Sequence, residues 1–196
     1  MPRSPTVVAL CGSRRDASKT RTALGLALDT ARDEGATTEL VDLREYELPA
    51  LDPTTPDPSD ADRLRARVAA ADAVLLGTPN YHGSYSGVLK NALDYCSRDE
   101  FGGTTVGLLE VAGGSFPGRA LDHLRAVARV LNAWTLPVEV AVPRSHETVT
   151  DGSVTDDDVA DRVRRLGSDL VKSAGVERYP ETASAAAGSA PTHCEP

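Results

Sequence analysis

The chain has 196 residues, 40 % apolar and 26 % charged, which suits one globular domain with an ordinary core and excludes a fibrous or wholly disordered chain. Its formal net charge of −8 argues against non-specific nucleic-acid binding, which needs a basic face to displace counterions. No apolar run approaches the ~18 residues of a membrane span, and the opening "MPRSPTVVALCGS" is too brief for a signal peptide, so no membrane partner is expected.

Strand-like and helix-like patterns alternate from end to end. "TVVALC" (Thr6 to Cys11) is short, β-branched and bounded by Pro5 and Gly12, which predicts a fully buried strand. Leu24, Ala27, Leu28 and Ala31 then recur at helical spacing, with Gly35 as the stop. Thr37 to Leu43 reads as the second strand. After a proline-rich acidic loop over 52–60, Leu64, Val68 and Ala71 mark a second helix, and Ala73 to Thr78 a third strand. "VLKNALDYC" continues as helix with Ser86 as its N-cap. Thr104 to Ala112 is a fourth strand, Leu121, Leu124, Ala128 and Leu131 define a fourth helix, and Leu136 to Val142 a fifth strand. Thr155 is the expected cap of a last helix bearing Val159, Val163, Leu166 and Leu170 on one face. The tail 180–196 lacks periodic apolar residues and is expected to be disordered, leaving 1–179 as the folded domain.

Cys11, Cys96 and Cys194 are odd in number and far apart, and the four histidines share no ligand spacing. Neither a disulfide framework nor a metal site follows, and a reducing, cytoplasmic setting is expected.

Five strands separated by helices predict an α/β fold, a parallel sheet with helices on both faces and right-handed crossovers. Two doubly wound strand orders remain open at this point, the dinucleotide type and 2-1-3-4-5. Both bind ligands at the carboxyl ends of the strands, beside the switch point. That rule singles out the loops after Cys11, Thr78 and Ala112.

The first loop, "CGSRRDASKT", offers a turn-forming glycine, the hydroxyls of Ser13, Ser18 and Thr20, and a helix N-terminus. Together these hold a phosphate without a metal, and Arg14 or Arg15 would add a charge-assisted bond. The loop lacks G-x-G-x-x-G and the Walker pattern, which disfavours dinucleotide and triphosphate readings. It also suits a plain hydroxyl-rich helix start with two solvated arginines. The second loop, "TPNYHGSYSG", sets planar side chains beside bare backbone, which suits a flat heteroaromatic ring or a simple cover for the sheet end. The third, "AGGSFPGRAL", places two consecutive glycine N–H groups where a ligand is already expected.

On these residues the chain resembles the NAD(P)H-dependent FMN reductases of the flavodoxin-like superfamily, which include quinone, azo-dye and chromate reductases. The resemblance rests on "GSRRDASKT", on "TPNYHGSYSGVLKNALDY" and on "GGSFPGRALDHLRAVARVLNAWTLP", and spans about Val7 to Val142. It implies a flavodoxin-like three-layer sandwich in the order 2-1-3-4-5. It further implies that FMN passes a hydride from NADPH or NADH to a small acceptor: a flavin, quinone, azo compound or metal oxyanion. Carried over residue by residue, it implicates Ser13, Arg15, Ser18 and Thr20 at the FMN phosphate, with Thr20 standing where asparagine is commoner. Pro79, Asn80, Tyr81, His82 and Gly83 would lie along the isoalloxazine, although family members often have Glu at Asn80 and Asn at His82. Gly113, Gly114 and Ser115 would face the pyrimidine edge. Glu110 stands where small hydroxyl residues are usual and is expected to face outward, away from the flavin. No side chain is assigned as catalytic, and Tyr81 and His82 are the nearest candidates for delivering a proton. Lys90 and Asp94, four apart on a helix, are expected to pair. The resemblance also implies a homodimer or homotetramer. The rival reading is a flavodoxin-type electron carrier that binds FMN without oxidising a nicotinamide, but "GSRRDASKT" lacks the Thr/Ser-x-Thr-Gly-x-Thr loop usual there.

Overall fold

The apolar runs Thr6–Cys11 (β1), Thr37–Asp42 (β2), Ala73–Pro79 (β3), Thr105–Val111 (β4) and Trp134–Val142 (β5) are the strands of a computed structural model that describes residues 3–175. All pair in parallel, in the order β2-β1-β3-β4-β5. The flavodoxin-like alternative is therefore the observed one. The order reverses between β1 and β3, so the loops leaving these two strands meet at the switch point.

Alternation along each strand splits the core in two. Val7, Ala9 and Cys11 of β1 face the same side as Leu75, Leu109 and Val111, under α1 (Lys19–Asp33) and α7 (Asp157–Ser173). Val8 and Leu10 face the other side with Leu76 and Leu108. There they meet Leu64 of α2 (Ser59–Ala69), Leu89 of α3 (Gly87–Asp94), and Leu121 and Leu124 of α5 (Arg119–Val130). Each fully buried leucine on either side contributes about 1.5–3 kcal/mol of transfer free energy. The α1–α7 contact is close because Gly167 lacks a side chain: a Cβ there would lie 2.3 Å from the Ala27 carbonyl oxygen.

Two departures from the sequence expectations have local causes. The last helix is capped by Asp156, whose Oδ1 accepts from Val159 N–H at 2.9 Å. Thr155 is occupied elsewhere, its N–H donating to the Thr148 carbonyl and its hydroxyl to the Glu147 carbonyl. After β5 the chain adds α6 (Ser145–Thr148) and a hairpin of β6 (Val149–Thr150) and β7 (Ser153–Val154), turned by Asp151 at φ 49° and Gly152 at φ 72°. Aspartate-glycine with both φ positive is the tight hairpin turn that matches strand twist. A one-turn α4 (Arg98–Phe101) carries a full capping box from Ser97 and Glu100. The expectations for the tail 180–196 and for a boundary at 179 lie outside the described residues.

Candidate functional site

The β1–α1 loop brings hydroxyls and backbone donors to the end of the sheet. Ser13, Ser18 and Thr20 are all buried, and Ser18 is the N-cap of α1, its Oγ accepting from Arg21 N–H at 3.1 Å. No acidic residue occupies the first turn, so the positive end of α1 is left for an anion. A network behind the loop holds it in place. Asp42 at the end of β2 accepts from Arg21 Nε at 2.9 Å and from Arg44 Nη2 at 2.8 Å. Arg21 Nη1 then donates to the Asp16 carbonyl at 2.9 Å, and Arg44 Nη1 pairs with the Asp16 carboxylate at 2.8 Å. Burial works to raise the Asp42 pKa, but hydrogen bonds from Arg44 and Arg21 outweigh it and hold the carboxyl below its ordinary range. Burial dominates at Cys11 and pushes its thiol up, which makes it an inert core residue.

The β3–α3 loop is tied to the first. Ser86, the α3 N-cap, donates its hydroxyl to the Gly12 carbonyl at 2.6 Å and accepts from Leu89 N–H at 3.2 Å. Its own N–H donates to Thr78 Oγ1 at 2.9 Å. Between Asn80 and Ser86 the chain makes a two-residue hairpin, with Tyr81 and Ser84 exchanging backbone bonds and His82 (φ 53°) and Gly83 (φ 79°) at the corner. This is again the turn with both central φ positive. The three tyrosines of the segment have separate tasks: Tyr81 is 45 % exposed on the hairpin, Tyr85 packs partly buried on the core, and Tyr95 donates to the Pro49 carbonyl. Lys90 and Asp94 pair as expected, and Asn91 holds the Leu48 and Pro49 carbonyls.

In the β4–α5 loop, Gly113 and Gly114 are exposed, and a Cβ at either would meet nothing within 4 Å. Among the described residues no acceptor takes their N–H groups, whereas the Ala112 and Gly114 carbonyls are held by Ser145 and Arg144 N–H at 2.9 Å each. Glu110 overturns the outward expectation. It is 0 % exposed, with Oε1 accepting from Asn80 Nδ2 and Oε2 from Gly118 N–H at 3.0 Å. The alternation of β4 points it, like Leu108, under the start of α5.

These loops bound a cleft of about 200 Å³. Seven of the residues singled out from the sequence line it: Ser13, Arg15, Thr20, Pro79, Asn80, Tyr81 and Gly113. Ser18 is spent on the cap, His82 and Gly83 form the exposed corner of the hairpin, and Gly114 and Ser115 lie farther along the third loop. Lys19, Ala17, Val111 and Ser145 also line the cleft and were not anticipated. Wider concavities of about 440 and 530 Å³ flank it, but neither is bounded by the ends of β1, β3 and β4 together.

A model of the NADPH-dependent FMN reductase family matches residues 5–147, more than half of the chain. The chain belongs to that family. The FMN-dependent NADPH-azoreductase of Staphylococcus aureus (strain USA300) is 43 % identical over 109 residues, covering 53 % of this chain and 58 % of that protein. The chain thus spans little more than half the length of the curated relatives it matches. Among solved structures, FerB, a flavoenzyme NAD(P)H:(acceptor) oxidoreductase from Paracoccus denitrificans, superposes with a TM-score of 0.72 at 25 % identity, over 86 % of this chain and 96 % of that one. The apo form of an NADH:FMN oxidoreductase (EMOB) gives 0.74 at 22 % identity, over 88 % and 91 %, a likeness of fold.

The chain has donors of the kind a flavin mononucleotide requires. One wall is a helix N-terminus with buried hydroxyls, the other a bare glycine backbone whose N–H groups meet no acceptor among the described residues, and open space lies over the glycines. Lys19 adds a cation at the α1 side of the cleft, its Nζ donating to the Ser145 carbonyl at 2.6 Å. Among the described residues no cluster of three or more His, Cys, Asp or Glu is placed to hold a metal, and no helix is long and apolar enough to cross a membrane.

Proposed function

We propose that this chain is an FMN-dependent oxidoreductase that takes reducing equivalents from NADPH or NADH and gives them to a small acceptor: a flavin, quinone, azo compound or metal oxyanion. The observation that carries the reading is the convergence of the α1 N-terminus and the bare Gly113 backbone on one cleft. Family membership and the NADPH-azoreductase relative support it and favour turnover on a nicotinamide over a passive carrier. When bound, FMN supplies the hydride-transfer chemistry that amino-acid side chains lack.

The chain's own part is binding, orientation and charge placement. Ser13 and Thr20 hydroxyls, the first N–H groups of α1, and the cations of Arg15 and Lys19 hold the phosphate. Pro79, Asn80 and Tyr81 form the wall for the planar ring. The N–H groups of Gly113, which lines the cleft, and of Gly114 just beyond it would meet the pyrimidine edge of a bound flavin and stabilise negative charge there as fixed dipoles. Tyr81, which lines the cleft while His82 does not, holds a proton at its phenolic oxygen beside an incoming acceptor. The protein works as a homodimer or homotetramer in the cytoplasm. The exposed Val130 and Trp134 are apolar surface that an assembly would cover, and the free thiols Cys11 and Cys96 fit a reducing compartment.

The test is fluorescence titration of the purified chain with FMN, then anaerobic addition of NADPH and of NADH, then addition of a quinone or azo dye. Saturable FMN uptake, direct bleaching by a nicotinamide and recovery of colour by the dye are expected. No uptake of FMN refutes the reading. Bleaching that requires an added reductase refutes the enzyme in favour of the carrier.

A further inference from the structure

Glu110 is a fully buried carboxylate with no basic side chain bonded to it, placed between two of the three loops of the cleft. A carboxylate offers only acceptors. Both of its contacts are N–H donors, Asn80 Nδ2 and the backbone of Gly118 at 3.0 Å. The Asn80 amide can satisfy it only by turning its nitrogen inward, which directs Oδ1 outward, and there it accepts from Gly83 N–H at 3.0 Å. The bonds form one relay from the start of α5 through Glu110 and Asn80 to the corner of the Tyr81–Ser84 hairpin. Gly118, at φ 129°, has no side chain with which to cap α5, so Glu110 Oε2 supplies the acceptor at that helix end.

We propose that Glu110 is a positioning residue: by accepting from both loops it fixes the Asn80 amide and thereby the hairpin that walls the flavin cleft. The link to flavin rests on the function proposed above, whereas the link to the hairpin does not. Glutamine in place of Glu110 has one acceptor and one donor group where two acceptors are needed. It must therefore abandon Gly118 or invert Asn80, which in turn abandons Gly83. The double exchange Asn80→Asp with Glu110→Gln restores every pairing. The introduced amide then donates to the introduced aspartate and accepts from Gly118 N–H, while the second oxygen of that aspartate accepts from Gly83 N–H. A merely bulky role for Glu110 predicts wild-type behaviour in Glu110→Gln itself, because glutamine fills the same space.

The experiment measures amide hydrogen exchange at Gly83 and Gly118 in the flavin-free protein, together with FMN affinity by fluorescence quenching. Glu110→Gln should speed exchange at one or both amides about tenfold or more and weaken FMN binding about tenfold. The double variant should return exchange to within about threefold of wild type and recover at least about threefold in affinity. Wild-type exchange and affinity in Glu110→Gln overturn the proposal, as does a double variant that exchanges as fast as the single one. If Glu110→Gln does not fold, recovery of a folded, slowly exchanging protein in the double variant supports the relay, and a double variant that also fails to fold overturns it. Should the wild-type chain take up no FMN, the functional reading falls while the exchange data still decide the relay.

Discussion

Ser86→Ala removes the pin between the first two loops. Two losses follow from the geometry. The α3 N-cap bond to Leu89 N–H goes, which typically costs about 1 kcal/mol. The Gly12 carbonyl loses the hydroxyl donor at 2.6 Å, and a buried acceptor left unmet costs about 1–3 kcal/mol. Together the variant should lose about 3 kcal/mol, which for a domain of this size lowers the melting midpoint by roughly 9 °C. The measurement is urea unfolding by circular dichroism without flavin, repeated with saturating FMN. Ser86→Gly separates the two losses, because glycine caps within a few tenths of a kcal/mol of serine and so mainly reports the Gly12 bond. The first loop would also sample positions away from the second, so FMN affinity should drop by about tenfold. A loss under about 0.5 kcal/mol in Ser86→Ala, the range of ordinary surface changes, would refute the idea that this hydroxyl joins the loops.

Three further substitutions probe separate links. Gly113→Val places a side chain into open space over the third loop, so it should leave stability within about 0.5 kcal/mol while weakening FMN binding at least about tenfold, checked by thermal melts and fluorescence titration. Gly167→Ala drives a methyl to 2.3 Å from the Ala27 carbonyl and forces α7 off α1, which should cost about 1–3 kcal/mol in urea unfolding. Asp42→Asn should be less stable than wild type near neutral pH, by about 2 kcal/mol. The Asp42 pKa is lowered on folding, so the wild type holds this advantage above the unfolded carboxyl pKa of about 3.9 and loses it as pH falls through the lower folded value. Urea midpoints of both proteins should therefore converge in acid.

The sheet was readable because its central strands are buried on both faces and open as continuous apolar runs after turn residues, as Thr6–Cys11 and Ala73–Pro79 do. The β6–β7 hairpin was missed although Asp151-Gly152 is its turn signal, because two-residue strands leave no periodicity to find. The capping box at Ser97 and Glu100 was similarly present and similarly unread, for a helix of one turn. In the site, Ser13, Thr20, Pro79 and Gly113 could be placed from the fold rule plus local chemistry, because they sit on loops leaving the strands. Asp42, Arg21 and Glu110 could not. Their roles depend on pairings across 21 and 30 residues that no local pattern encodes. Asp42 did carry a weak signal, an aspartate at the carboxyl end of a strand beside the switch point. Glu110 looked like an exposed charge, since nothing in its neighbours along the chain announces the two N–H groups that meet it.

The order in which the two faces of the sheet are covered matters during synthesis. Helices α2, α3 and α5 all precede β5, so one face closes early, whereas on the other face α1 forms early over β1 and β2 and α7 arrives last, over β3, β4 and β5. A chain still on the ribosome, or one cut before Asp157, therefore carries a sheet whose β4–β5 end is bare on the side that α1 only partly covers. Such a species is what chaperones bind and what aggregates.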